Sequence, residues 1–549
     1  MPLDALITGR IATLAGETGF GWVEALGIRH GRVAFAGSEV DIETRADAHT
    51  ERIVLDSNMV AIPGITDAHL HLAASADALR HVDLSDAATL DEGLARIRAA
   101  HDSATDPAAW LEGHGWDSDR WGRWPTAADL EAVAPGRRGA FWAHDHHALL
   151  ATRTALAFAG VDRETPDPGG GVIRRDPDGE PEGVLYEAAT RFVTVRIPPA
   201  SMAELERGII AVCRDLLALG VVAVHDPGRL SPDPDLGWSY PAYAHLSETG
   251  RLPLRVLASL RDDALATALA GGLRSGATIG ADPDGRARVG WQKCFADGSL
   301  GSRTAALLAD IEPEPDRPLD PERRRGVWAT EPEELRDLVE RAAAGGIATQ
   351  IHAIGDAAVR VALDLLASTA GRVPFMPKVE HVQLLDPLDR ARFAAAGIAA
   401  SVQPAHLGTD AARARMLWGE RAERNGYTWA SIAATGAVLA FGTDAPIEPF
   451  DPWPGIALAV RREDPRWPTG TPPYSPGEAL TLDRALRAAC VDPARSARET
   501  DRGRLTVGQR ADVAIIPAAA LREPVEPGGA LATARPTMVV IDGRVAFEA

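Results

Sequence analysis

Lysine is almost missing from this chain. Of its 57 basic residues only two, Lys293 and Lys378, are lysines, and the rest are arginine. A chain that meets its need for positive charge with arginine has no solubility reason to place a lysine at an apolar strand end. An amine that can lose its proton is such a reason, because arginine cannot supply one. Cysteine is scarce too. Cys213, Cys294 and Cys490 are odd in number and far apart. That excludes a disulfide frame or a zinc knuckle and predicts free thiols in a reducing compartment. No stretch approaches the roughly 18 uninterrupted apolar residues of a membrane helix. The start, Met1-Pro2-Leu3-Asp4, lacks the basic-then-apolar order of a signal peptide. Net charge is −20, which argues against nucleic acid or an anionic membrane as partner. A soluble cytoplasmic protein is expected.

What is present is a long chain of 549 residues, 46% of them hydrophobic, enough for more than one core. Its first marked stretch is Ile62-Pro63-Gly64-Ile65-Thr66-Asp67-Ala68-His69-Leu70-His71-Leu72. In an extended chain residues i and i+2 share a face, so His69 and His71 project together. Two imidazoles so placed suit a divalent ion such as zinc. Alone the pair is weak evidence, since the chain has 15 histidines.

Residues 1–60 read as short strands and turns, and so do residues 500–549, with Ala511 to Ile516 and Met538 to Val545 as runs. One small β-sandwich built from both termini is predicted. Residues 76–199 leave regular alternation but carry a tryptophan cluster (Trp110, Trp116, Trp121, Trp124, Trp142) that needs burial. They read as an inserted lid or substrate-specificity region. Regularity returns after residue 200. Ser201-Met202-Ala203-Glu204 opens a helix with a capping box. Runs ending at His225, Ala258, Phe295, His352, Val382, Pro404 and Asp444 follow, most of them alternating with helices, one of them predicted over 386–397. With the His69 strand these make eight, the pattern of a (β/α)8 TIM barrel over residues 61–75 and 200–499.

Residues able to bind metal recur at the C-terminal ends of these strands. His69 and His71 are on the first, Lys293 on the fourth, His352 on the fifth, His381 on the sixth and Asp444 on the eighth. In such a barrel those ends converge on one rim, where active sites form. Each residue has a bland reading by itself, but six at one rim predict a metal site.

At this point the chain resembles the amidohydrolase superfamily, and within it the amidohydrolase family 3 group of YtcJ-like proteins and N-substituted formamide deformylases. The stretches that carry the resemblance are Pro63 to His71, Lys293-Cys294-Phe295-Ala296-Asp297-Gly298-Ser299-Leu300-Gly301-Ser302-Arg303-Thr304, His352-Ala353-Ile354-Gly355-Asp356-Ala357, Glu380-His381, Ser401-Val402-Gln403-Pro404 and Gly442-Thr443-Asp444-Ala445-Pro446. The resemblance implies two zinc ions bridged by a carboxylated Lys293. His69, His71, the carbamate and Asp444 would hold one ion. The carbamate, His352 and His381 would hold the other. It also implies a homodimer. The implied reaction is hydrolysis of a non-peptide carbon–nitrogen bond in an N-formyl or N-acyl amine, with Asp444 as general base and then acid.

Rival readings stand beside this one. Lys293 could contact substrate directly at a single-ion site. The same ions could serve an ester, lactone or cyclic imide, and an inactive barrel scaffold would be expected to lack several ligands. Trp116, His147, Glu187 and Gln403 are candidate substrate residues, Trp116 equally a core residue. His147 stands where the group has Asp-Gly-His, but His146 replaces the glycine, and Thr152 replaces an asparagine further on. His225 reads as rim structure or substrate contact, and Asp297 and Arg303 as residues that shape a loop.

Overall fold

Eight short apolar strands pair side by side and in parallel. They are β1 (Ile65–Asp67), β2 (Val221–Asp226), β3 (Arg255–Arg261), β4 (Ala287–Phe295), β5 (Thr349–Ala353), β6 (Lys378–His381), β7 (Ala399–Val402) and β8 (Leu439–Phe441). Every residue of β2, β5, β6, β7 and β8 is buried, as expected for parallel strands covered on both faces. The first and last strands approach at a seam. There the Ala68 amide donates to the Phe441 carbonyl at 2.9 Å and the Asp444 amide to the His69 carbonyl at 2.7 Å. The result is the nearly closed (β/α)8 barrel the sequence predicts. This computed structural model describes residues 3–42, 45–104, 106, 108–228, 239–282, 284–313 and 323–549.

Register decides which side chains share the barrel axis. Lys293 lies opposite Gln350, Gln350 opposite Lys378, His352 opposite Glu380, and Glu380 opposite Ser401. Alternation then sends all of these to one face. Between the strands run helices such as Pro332–Ala344 and Asp356–Ala367, and β7 leads into α1 (Pro404–Trp418). The single helix predicted over 386–397 is instead a 3₁₀ turn, Pro387–Asp389, followed by Arg392–Ala396. There the Asp386 side chain accepts the Leu388 amide at 2.9 Å, and buried Asp389 pairs with Arg360 and Arg392, each at 2.8 Å.

Both ends of the chain meet in one eight-stranded sheet. Met59–Pro63 pairs antiparallel with Val513–Pro517, joining five N-terminal strands to three C-terminal ones. Ile7, Ile11, Leu26, Ile28, Val33, Val513, Ile515 and Val540 form its apolar core.

By contact density the chain splits into two units. One holds the barrel and this terminal sheet, and the other is built on Ala73–Ile209. The second unit has a six-stranded sheet of its own, running Gly171–Arg175, Pro181–Glu187, Ala148–Ala151, Gly139–Ala143, Leu111–Trp116, Val82–Asp83. Apolar clusters cover it, one around Trp116, Trp121 and Phe141, another around Leu149, Leu156 and Leu185. The predicted capping box is present: Ser201 and Glu204 exchange backbone and side-chain hydrogen bonds at the start of helix Met202–Ala218. The three cysteines are free and buried. Among the described residues no helix is long and apolar enough to cross a membrane.

Candidate metal centre

The barrel strands deliver their histidines already oriented. His69 Nδ1 lies 2.6 Å from Glu380 Oε2. A carboxylate only accepts, so Nδ1 carries the proton and Nε2 keeps its lone pair. His71 Nδ1 lies 2.6 Å from the Gly228 carbonyl, which fixes the same tautomer. Both free Nε2 atoms face Asp444 Oδ1, at 3.2 Å from His69 and 3.3 Å from His71. His352 donates from Nε2 to the Gly298 carbonyl at 3.0 Å, leaving Nδ1 as its lone-pair atom. The His381 ring centroid lies 4.5 Å from that of His352 and 5.1 Å from that of His69. Its Nδ1 is 3.9 Å from Asp444 Oδ2 and has no hydrogen-bond partner among the described residues.

These contacts carry an electrostatic problem that a cation solves. Burial pushes the His71 imidazole below its ordinary pKa, and His381 well below, so both are neutral near pH 7. Burial alone would raise the Asp444 carboxyl, but His69 and His406 outweigh it and hold it far below the usual carboxylate range. The lone pair of the neutral His71 imidazole thus points at an ionised carboxylate 3.3 Å away with no proton between them, while Glu380 and Asp444 outweigh burial and hold His69 above its ordinary pKa. Such a donor set fits a divalent ion. His69, His71 and Asp444 offer ligand atoms close enough for one ion, as do His381, His406 and Asp444.

Lys293 stands in the same group. Burial pushes its amine down to about 8, against the pull of Glu380 and Asp444. The Nζ sits 4.9 Å from the centroid of the Phe295 ring. An amine in that state is neutral often enough to react as a nucleophile or to take up carbon dioxide.

The backbone is strained where the ligands turn inward. His381 has φ 74° and Asp444 φ 64°, left-handed values that cost on the order of 1–3 kcal/mol each in a non-glycine residue. Next to the seam, a Cβ on Gly442 would lie 2.5 Å from the His69 amide nitrogen and 2.6 Å from the His69 Cβ. Only glycine allows that approach. Asp67 pins the same corner. It accepts from the amides of His69 (3.0 Å) and Thr443 (3.1 Å) and from the Thr443 hydroxyl (2.7 Å).

Of the predicted residues, His69, His71, Lys293, His352, His381 and Asp444 all lie on this rim. Gln403 stands beyond β7, buried. His147 and Glu187 pair within the inserted unit, Nδ1 lying 3.0 and 3.1 Å from the two carboxylate oxygens. Trp116 serves that unit's core: it is 1% exposed and donates its indole N–H to the Phe141 carbonyl at 2.7 Å. Asp297 shapes its loop, accepting the amides of Ala306, Ile354 and Gly355 at 2.8–3.0 Å. His225 is buried at the end of β2, its ring 5.0 Å from that of Trp291.

Two groups were missed from sequence. His406, one turn into α1, places Nε2 3.3 Å from Asp444 Oδ2. Its Nδ1 lies 3.0 Å from the Gln383 side-chain amide, and its Nε2 donates to Asp444. Asp444, which outweighs the effect of burial, raises its imidazole to about 9. Lys378 completes the chain behind His69: its Nζ is 3.1 Å from Glu380 Oε1 and 3.1 Å from the Ala68 carbonyl, and 4.1 Å from the centroid of the Trp291 ring. The scarcity of lysine was the signal that could have found it.

The sequence matches the model of an amidohydrolase family, Amidohydro_3, over residues 57–547. The chain is 31% identical over 526 residues to the protein LONG AFTER FAR-RED 3 of Arabidopsis thaliana, covering 93% of this chain and 87% of that one. It is 27% identical over 541 residues to the N-substituted formamide deformylase of Arthrobacter pascens, covering 96% and 95%. Among solved structures, an uncharacterized metal-dependent hydrolase from Pyrococcus horikoshii superposes with a TM-score of 0.73 at 26% identity, covering 95% and 98%. With the barrel and its converging ligands, these likenesses make the chain a member of the amidohydrolase family, a metal-dependent hydrolase of carbon–nitrogen bonds.

Proposed function

We propose that this amidohydrolase cleaves the amide bond of a small N-substituted amide, an N-formyl or N-acyl amine. The observation that carries the reading is the convergence of the His69, His71 and His381 rings on the ionised Asp444 carboxylate, beside an amine poised near neutrality. The likeness to a formamide deformylase supports the acyl class. We assign His69, His71, Asp444 and carboxylated Lys293 to one zinc ion, and the carbamate, His352 and His381 to a second. Ions bound there supply acidified water and a polarised carbonyl.

The chain's own residues do the rest. Glu380 and the Gly228 carbonyl hold His69 and His71 in the tautomer that leaves Nε2 free. Asp444 takes a proton from the attacking water as its oxygen bonds to the acyl carbon. As the C–N bond breaks, Asp444 passes that proton to the departing nitrogen, giving an amine and a carboxylic acid, which then releases its own proton to the solvent. His406, donating to Asp444 Oδ2, keeps the carboxylate turned to that task.

The test is metal per chain by elemental analysis of protein purified without added metal or chelator, followed by a panel of N-formyl and N-acyl amines against matched esters and cyclic imides. Two ions per chain and faster amide turnover support the assignment. One ion per chain places Lys293 as a substrate contact. Lys293→Arg with full metal and full rate overturns the bridge, and preference for esters overturns the substrate class.

A further inference from the structure

Four glutamines are buried among the described residues: Gln292, Gln350, Gln383 and Gln403. Three have a bonded amide. Gln292 Oε1 accepts from Thr349, Gln350 Nε2 donates to Ser259, and the Gln383 amide lies 3.0 Å from His406 Nδ1. Gln403 is 3% exposed, and neither its Oε1 nor its Nε2 has a partner. A buried amide with both ends unmatched is costly to the fold and calls for an occupant.

Its direction follows from register. Ser401 lies opposite Glu380 on one side and Ala440 on the other. Glu380 reaches His69 on the barrel axis, so Ser401 faces that axis. Gln403 continues the strand, with φ −118° and ψ 97°. Two residues on, its side chain returns to the same face, roughly 7 Å nearer the rim. The position is held firmly: Pro404 begins α1 directly after it, and the His406 amide donates to the Gln403 carbonyl at 3.1 Å. His406 also contacts Asp444, so the start of α1 ties Gln403 to one of the residues that hold the base.

We propose that Gln403 reads the scissile group and restricts the enzyme to N-monosubstituted amides. Its Oε1 accepts the substrate N–H, the one donor that a secondary amide carries at the scissile bond. A tertiary amide or an ester brings no N–H and leaves Oε1 buried and unpaired. This inference rests on the amide reading above and names the feature of the amide that is selected.

The experiment compares formanilide with N-methylformanilide on the zinc-loaded enzyme and on Gln403→Met, with Gln403→Leu as a second variant should the first fold poorly. Each variant is first checked for wild-type metal content. The wild type is expected to favour formanilide by about 100-fold in kcat/KM. In the variants that ratio should collapse to a few-fold, because only the N–H substrate loses a partner. Calorimetry repeats the comparison without turnover: formanilide binding to Asp444→Asn should exceed that of N-methylformanilide, and adding Gln403→Met should erase the difference. Equal rates on both substrates in the wild type overturn the proposal. So does a variant that slows both alike and keeps the ratio. If the wild type cleaves neither amide but cleaves phenyl formate, the amide reading itself fails and takes this inference with it.

Discussion

Replacing Lys378 by methionine should weaken the barrel more than most single changes can. Lys378 and Glu380 are both fully buried, with Nζ 3.1 Å from Oε1. At that separation and an effective dielectric of about 20, their attraction is about 5 kcal/mol. Burial pushes the lysine below its ordinary pKa, yet Glu380 holds it up. Burial would raise the glutamate, yet Lys378 and His69 hold it below the usual carboxylate range. Methionine fills the volume but takes the ammonium from Glu380 Oε1, whose Oε2 stays with His69, and removes the donor to the Ala68 carbonyl. Breaking a buried pair in this way costs about 3–5 kcal/mol. Unfolding of the metal-free protein in urea, followed by circular dichroism and by tryptophan emission, reads it; Trp291 lies against the ammonium. With a slope of about 3 kcal/mol per molar, the midpoint should fall by about 1 M or more. Lys378→Met with Glu380→Gln removes both charges and should recover most of the loss. A Lys378→Met midpoint within about 0.3 M of wild type would refute the reasoning, as would a double variant no better than the single one.

Two further outcomes follow from the geometry. Gly442→Ala forces a methyl to 2.5 Å from the His69 amide nitrogen, so metal content should drop to less than half of wild type, whereas Gly477→Ala, where a Cβ meets nothing within 4 Å, should keep it; equal metal in both contradicts the close-approach argument. The metal-free protein should gain stability as pH rises from about 8 towards 10.5, the folded and ordinary values of Lys293. Below about 8 the amine is charged in both states and the fold carries the whole cost of burying it. Between the two values the unfolded chain still binds a proton that the folded chain has released. The gain from this residue is about 3 kcal/mol, and Lys293→Met should remove that part of the rise in urea midpoints measured from pH 7.5 to 10.

Much of the barrel was legible because its signals are local. Strand ends at His69, Lys293, His352, His381 and Asp444 follow apolar runs, and alternation with helices sets the fold class. The inserted unit was not legible as a sheet. Strands as short as Val82–Asp83 and Ala148–Ala151 leave too few residues for a period to show, and their pairing is a tertiary fact. The helix expected over 386–397 begins as a 3₁₀ turn, where the Asp386 side chain accepts the Leu388 amide and its carbonyl the Asp389 amide, and becomes α-helical only at Arg392.

The sequence by itself determined which chemistry is available: imidazoles, one carboxylate and two lysines, spaced on strands that must converge if a barrel forms. Only the tertiary structure decided their states. Glu380 sits 311 residues from His69 in the chain, yet it sets which nitrogen of that ring is free. His406 comes to Asp444 because α1 starts at the rim. Lys378 is a structural counter-charge and Lys293 an amine near neutrality, although composition marks them alike. Protonation and tautomer depend on partners and burial, and those are properties of the packed barrel, not of spacing along the chain.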